Sequence, residues 1–459
     1  MFLDLPLELL PVILSHLQKP HHLATACLVS KKFHQFAVIK LYERVSIYSW
    51  QKEGKVKVLL LFSTLAQCHN LARYVRRLEI RDFPKSAAVK VLEIALKGLM
   101  NCVNLRACTW TRDGSLNSDI LRALQTSSSL QELEINGHDD GNYDPDLLKG
   151  FTGLNRISLI MPSAAVINRL ASWIELTGDT LQTLMLICKT SPLVTDSILE
   201  SLAPNLVNLK HLHITGCTRV SHHGVLAVIL SNISGITALG LEGISTKFDM
   251  AKFSHRCAET AALARLQSIS LTVHQQLPLD IWMNNVLDLL SLAPLEIFQI
   301  YSTGAFFEPP STNHFWSQLV TMHGHRLKRF SVHRMLVSLD AIDDICRRCT
   351  SLEQLFIVIE PGSLNMVGAC LAQSRTLRSV HINHPLEAQS NAVPVLSPRD
   401  ALSIIRQCSS TLTQFGCNAR VWQVVRTIVP DEDGILHACP SLSPYEGLDI
   451  PEPFLVVRT

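Results

Sequence analysis

Short apolar clusters of the form L-x-x-L-x-L, with other apolar residues admitted, recur along most of the chain. They begin at Val75 (VRRLEI), Leu105 (LRACTW), Leu130 (LQELEI), Leu154 (LNRISL), Leu181 (LQTLML), Leu209 (LKHLHI), Ile236 (ITALGL), Leu266 (LQSISL), Leu295 (LEIFQI), Leu327 (LKRFSV), Leu352 (LEQLFI), Leu377 (LRSVHI) and Leu412 (LTQFGC). Side chains alternate along a strand, so the second and third apolar positions of each cluster point the same way. Between clusters lie segments of helical period, such as SDILRALQTSSS and VTDSILESLAPNL. One strand and one helix cannot enclose a core, and stacked neighbours must supply the missing walls. One such match means little in a chain that is 47% hydrophobic, but thirteen at a spacing of roughly 28 residues predict a repeat architecture. The expected fold is an α/β solenoid over residues 73–429, with parallel strands on the concave face and helices on the convex face. A helical linker, residues 49–72, precedes it, and a proline-containing tail, residues 430–459, follows.

The N-terminal 48 residues follow a different pattern. Leu9, Leu10, Ile13, Leu14 and Leu17 recur at helical spacing, with Asp4 as an N-cap and Pro6 in the first turn. Pro11 falls inside this pattern and predicts a break or a short first helix. Pro20, His21 and His22 read as a turn. Leu23, Cys27 and Leu28, then Phe33, Phe36, Ala37 and Leu41, form a second helical pattern. A helical unit this small is marginal alone and leans on a neighbour or a partner. It is no export signal, because Asp4 and Glu8 precede the first basic residue, Lys19. Nor is it a membrane span, because Glu8, Ser15, His16 and Gln18 interrupt it.

Composition narrows the partners. Against 41 Lys and Arg stand 39 Asp and Glu, and no basic stripe is interleaved with aromatics, so neither nucleic acid nor membrane is expected. Thirteen cysteines without framework spacing read as free thiols in the cytoplasm, the nucleus or both. Chemistry is sparse. The pair Cys346 and Cys349 is a single C-x-x-C, half of a zinc site, and one of the two is expected to face the core. His211 and His213 share a strand face without a third ligand. The loop GHDDGNYDPD lacks the ligand order of a calcium loop and reads as a solvated acidic turn. No nucleophile elbow, zincin motif or phosphate loop occurs. No catalytic, cofactor-binding or metal-binding residue is assigned, and the chain is not expected to be an enzyme.

Residues 3–48 resemble an F-box. The resemblance rests on Leu5-Pro6-Leu7-Glu8, the apolar pair Ile13 and Leu14, Leu17, Leu23, Val29-Ser30-Lys31 and the aromatic Phe33. It closes on Leu41-Tyr42 where many members have Leu-Trp. The remainder resembles leucine-rich repeats. Residues 193–224 resemble the cysteine-containing type found behind F-boxes, through Thr195, Asp196, Leu209, Leu212, Ile214 and Cys217. The Asn/Cys position is not kept elsewhere, where it reads His138, Pro162, Lys189 and His274. The resemblance implies a substrate receptor of an SCF-type ubiquitin ligase. Leu5, Pro6, Ile13, Leu14, Leu23, Val29 and Phe33 would divide between a small core and the surface docking on a Skp-family adaptor, and through it a cullin. The alternative is a leucine-rich scaffold or inhibitor acting outside any ligase.

A protein substrate would lie on the concave face, formed by the residues between and flanking the inward apolar positions. Early strands place Arg77, Glu79, Arg81, Glu132, Glu134 and Asn136 there. Later strands place Ile297, Gln299, Tyr301, Arg329, Ser331, His333, Gln354, Phe356 and Val358 there. Tyrosine, phenylalanine and arginine are favoured at interface hot spots, so Tyr301, Arg329, His333 and Phe356 are the candidate substrate contacts. Cys217 is expected to be buried and unreactive.

Overall fold

The computed structural model describes residues 6–17, 19–48, 53–85, 87–274, 276–304, 312–385, 396–430 and 436–445. The described residues form two units, one running to Arg219 with Ser231–Ser234 added, the other comprising Val220–Leu230 and residues 235–445.

The first unit opens with three helices, α1 (Leu10–Ser15), α2 (Pro20–Val29) and α3 (Lys31–Glu43). Seven strands follow: β1 (Arg44–Ile47), β2 (Arg77–Ile80), β3 (Ala107–Trp110), β4 (Glu132–Asn136), β5 (Arg156–Ile160), β6 (Thr183–Thr195) and β7 (His211–Arg219). Each pairs in parallel with the next. Helices α4 (Gly54–Gln67), α5 (His69–Ala72), α6 (Val89–Asn101), α7 (Ser118–Gln125), α8 (Ala164–Thr177) and α9 (Asp196–Leu202) lie between the strands.

In the second unit, β8 (Ala238–Glu242), β9 (Ser268–Val273), β10 (Ile297–Ser302), β11 (Arg329–Leu336), β12 (Gln354–Val358), β13 (Ser379–Asn383) and β14 (Gln414–Cys417) again pair in parallel and in order. An antiparallel hairpin, β15 (Arg420–Pro430) and β16 (Leu436–Pro444), is added to β14. The helices are α10 (His222–Ser231), α11 (Met250–Thr260), α12 (Leu279–Leu290), α13 (Thr312–His323), α14 (Leu339–Arg348), α15 (Leu364–Leu371) and α16 (Pro398–Ile405).

All thirteen apolar clusters are strands, β2 to β14. Their inward positions carry the core: Leu133, Ile135, Leu184 and Leu186 in the first unit, and Phe298, Ile300, Leu355 and Ile357 in the second, are all within 1% of full burial. Each such side chain contributes about 1.5–3 kcal/mol. Side-chain caps start the helices where the sequence offers them, with Asn117, Ser163, Asp249, Ser338 and Ser397 each accepting a backbone N–H of the first turn. Several repeats place a left-handed residue directly after the first five strand positions. Gly216 (φ 67°) and Gly243 (φ 56°) occupy that corner in two repeats, and Met161 (φ 53°) and Arg334 (φ 61°) in two others.

The sheet begins earlier than the apolar pattern announces. β1 lies within the N-terminal 48 residues and pairs Arg44 with Arg77 and Ile47 with Ile80. The segment read as a linker holds α4 and α5. α4 packs on α6 so closely that a Cβ on Gly98 would lie 3.1 Å from the Phe62 ring. β15 and β16 were invisible to an L-x-x-L-x-L search because an antiparallel hairpin has no need of that spacing.

One other expectation changes. Pro20, His21 and His22 form the first turn of α2 rather than a free turn, with Pro20 at the position that lacks an intrahelical N–H partner. Phe315 and Trp316 lie on α13 and are 2% and 1% exposed, packed against Phe298, so they are core residues. Residues 305–311 and 386–395, and residues 431–435 and 446–459 of the tail, lie outside the described residues.

Candidate functional site

Two surfaces follow from this architecture: the outside of the three-helix head, and the sheet face turned away from the helices.

In the head, a 3₁₀ turn (Leu7–Leu9) runs into α1, with Pro11 in the first turn of α1, so the two prolines make a short helix rather than a kinked long one. Ser30 ends α2 and caps α3, its hydroxyl accepting the Phe33 N–H at 3.2 Å. Leu14, Ala26 and Ala37 form the core, with Leu17, Cys27, Phe33 and Phe36 packed against it. Leu14 and Leu23, named as candidate adaptor contacts, are only 2% and 6% exposed. They therefore serve the head's own packing, and Phe33 is half-buried beside them. Pro6, Ile13 and Val29 are exposed. Leu5 lies outside the described residues.

The helical pattern takes in Leu9 and Leu28 and omits Val12, and all three prove to be exposed apolar residues that were not named as adaptor contacts. Leu9, Val12 and Leu28 are 45%, 57% and 87% exposed, beside Val29 at 63%. These large apolar side chains are exposed on a small head.

On the sheet face the two units differ. In the first, charges pair across strands. The Arg44 Nε donates to Glu79 at 2.8 Å, and Arg77 reaches Glu132 at 3.0 Å and Arg81 reaches Glu134 at 3.1 Å. The Tyr48 hydroxyl donates to the second Glu79 oxygen at 3.3 Å, and burial beside that carboxylate raises the phenol's pKa.

In the second unit, Tyr301 and His333 stack with ring centres 4.5 Å apart and planes 12° apart. The Arg329 guanidinium lies 5.7 Å from the Phe356 ring centre while its Nε donates to Gln354. His381 lies over Gly416, where a Cβ would come within 2.0 Å of its Nδ1, and its Nε2 is 3.0 Å from the Asn418 carbonyl. Burial lowers both His333 and His381 to a pKa of about 4, so both are neutral at pH 7.

The expectation of four accessible contacts on this face is corrected. His333 and Phe356 are 3% and 4% exposed, because ladder neighbours cover them, and only Tyr301 and Arg329 retain appreciable exposure. Sequence alternation places a residue on a face; the height of its neighbours decides whether anything can reach it.

The remaining candidates resolve into structural roles. Cys217 is fully buried, its thiol next to that of Cys188, and that contact together with burial raises its pKa. Cys346 and Cys349 are both buried at the end of α14. Several carboxylates of the acidic loop and its surroundings are engaged. Asp113 meets Lys85 at 2.9 Å and His138 at 3.0 Å, Asp146 meets Lys149 at 2.7 Å and Arg169 at 3.0 Å, and Asp139 accepts from Ser163. Among the described residues no three His, Cys, Asp or Glu side chains gather as metal ligands, and no helix is long and apolar enough to cross a membrane.

No curated protein matches the chain. The solved structures that match include a chain from the crystal structure of the Rad7 and Elc1 complex in yeast, 15% identical, covering 76% of this chain and 93% of that chain at a TM-score of 0.39. One family model matches, over residues 2–48, and its description is F-box-like. That span takes in α1, α2, α3 and β1, so the three-helix head with its exposed apolar surface is an F-box-like domain.

Proposed function

We propose that the chain is the substrate-recognition subunit of an SCF-type ubiquitin ligase. Its F-box-like head docks on a Skp-family adaptor, and through it a cullin, while the repeat sheet holds a protein substrate. The reading is carried by an F-box-like domain whose outer residues, Leu9, Val12, Leu28 and Val29, are apolar and exposed. In this role the chain breaks and forms no bond. It raises the local concentration of a substrate lysine near the conjugating enzyme, and it works without cofactor or metal in the cytoplasm or the nucleus. We read the repeats as leucine-rich and of the cysteine-containing type, with Cys217 as the buried cysteine.

Affinity purification tests the proposal. The full chain captures adaptor and cullin, and Leu28→Ala with Val29→Ala weakens adaptor binding at least tenfold, since about 1.4 kcal/mol is one decade. Adaptor capture at the wild-type level by a chain lacking residues 1–48 refutes it. Substrate contact is proposed at Tyr301 and Arg329, with His333 and Phe356 as the layer that holds them. Tyr301→Ala with Arg329→Ala reduces capture of a co-purified substrate and spares the adaptor. Unchanged capture by that variant, with an unchanged unfolding midpoint, refutes the placement.

A further inference from the structure

The head differs from the rest of the chain in charge. Between Glu8 and Glu43 there is no acidic residue, while the same stretch holds Lys19, Lys31, Lys32, Lys40 and four histidines. The complete chain carries only +2, so this positive segment is local. Lys40 is satisfied by Glu43 at 2.6 Å. Lys31 and Lys32 are exposed and have no ion-pair partner among the described residues. One residue, Ser30, separates them from Leu28 and Val29, the most exposed apolar pair of the head.

The placement is unfavourable for the free domain. Lys31 and Lys32 occupy the first turn of α3, where the helix dipole favours a carboxylate and disfavours a cation. Asp119, Asp196, Asp280, Asp340 and Asp400 stand in the first turns of α7, α9, α12, α14 and α16, while those of α4, α6 and α11 carry Lys55 and Lys57, Lys90, and Lys252; α3 opens on two adjacent lysines.

Resting on the docking function proposed above, we propose that the adaptor meets this head with an apolar pocket rimmed by carboxylates. Leu28 and Val29 enter the pocket, and Lys31 and Lys32 pair with the acidic rim. The occupant is a protein with that chemistry. Exposed apolar side chains flanked by unpaired cations fit such a surface, and charge complementarity of this kind sets association rate and specificity.

The test is adaptor binding by the full chain at low and high salt, for wild type, Lys31→Glu with Lys32→Glu, and the control Lys90→Glu on α6. The expected result is at least tenfold weaker binding by the double reversal, a flatter salt dependence, and no change for the control. The thermal midpoint of the double reversal is expected to be equal to or above wild type, because acids suit that helix end; this separates lost pairing from lost folding.

Wild-type affinity in the double reversal, or a wild-type affinity indifferent to salt, overturns the inference. If Leu28→Ala with Val29→Ala still abolishes binding in that case, the docking function stands and only the acidic rim falls. If wild type does not bind the adaptor at all, both fall. Binding of the head to phosphatidylserine vesicles in place of the adaptor likewise overturns the proposal.

Discussion

The sheet faces of the two units share a backbone plan and differ in what stands on it. In the first unit, Arg44, Glu79, Arg77, Glu132, Arg81 and Glu134 make ion pairs across strands. In the second, the corresponding rows hold Tyr301 stacked on His333, Arg329 over Phe356, and His381 over Gly416. The inward positions are apolar in both, because they build the core. Outward positions carry no such obligation, so one unit is held across its face by charge and the other by packed rings. Exposed charge pairs respond to salt. Buried rings respond to volume and to protonation.

The largest difference should appear on acidification. Burial holds His323, His333 and His381 of the second unit at a pKa of about 4, against about 6.5 when unfolded. The unfolded chain therefore binds more protons between these values. The stability from the neutral imidazoles is complete above about pH 6.5 and is lost as pH falls toward 4. In the first unit, hydrogen bonds from Lys85 and His138 lower the Asp113 pKa. Its contribution is present above the usual carboxylate range and is lost only as pH falls through that lowered value. Among first-unit histidines His211 is shifted down, chiefly by burial. Urea midpoints from pH 7 to 4 should fall first for the second unit, and His333→Phe with His381→Phe should flatten that fall. An identical pH profile in that variant would remove the imidazoles from the explanation.

Phe356→Ala should cost about 3 kcal/mol, because it empties a buried ring site. Read by denaturant unfolding, a loss below about 1 kcal/mol would mean that this face is no more packed than the charged one. Gly416→Ala should cost about 2 kcal/mol by driving a methyl into an imidazole pinned at Asn418. Its effect should shrink when combined with His381→Ala, and a cost unchanged in that background contradicts the contact.

Arg334→Gly should have the opposite sign, stabilising by about 1 kcal/mol by relieving a left-handed backbone at the corner where Gly216 and Gly243 stand in other repeats. The smallest effect is expected on the charged face. Arg77→Ala should change stability by about 0.5 kcal/mol or less, and the change should vanish in high salt, since this pair is 43% and 30% exposed.

Much of the architecture was legible in the amino-acid order. The inward Leu, Ile and Phe positions recur at strand spacing because each repeat must offer the same wall to its neighbours, so β2 to β14 could be placed before any coordinates. The head was legible for a different reason. Leu-Pro-x-Glu and Val-Ser-Lys-x-Phe carry the F-box resemblance, while the Ser30 cap that divides the second helical pattern into α2 and α3 came only with the structure. Tertiary structure decided the rest. It showed that Leu14 and Leu23 face inward while Leu28 stands outside, because the packing angle of three short helices is not written in their period. It buried His333 and Phe356 on a face that alternation alone would leave open, because exposure depends on neighbours about 25 to 30 residues away along the chain that lie next to them in the sheet. It added β1 and the β15–β16 hairpin, whose pairing requires a free sheet edge and no repeated leucine. Local order determines which way a side chain points along its own element, and only the assembled fold determines what stands beside it.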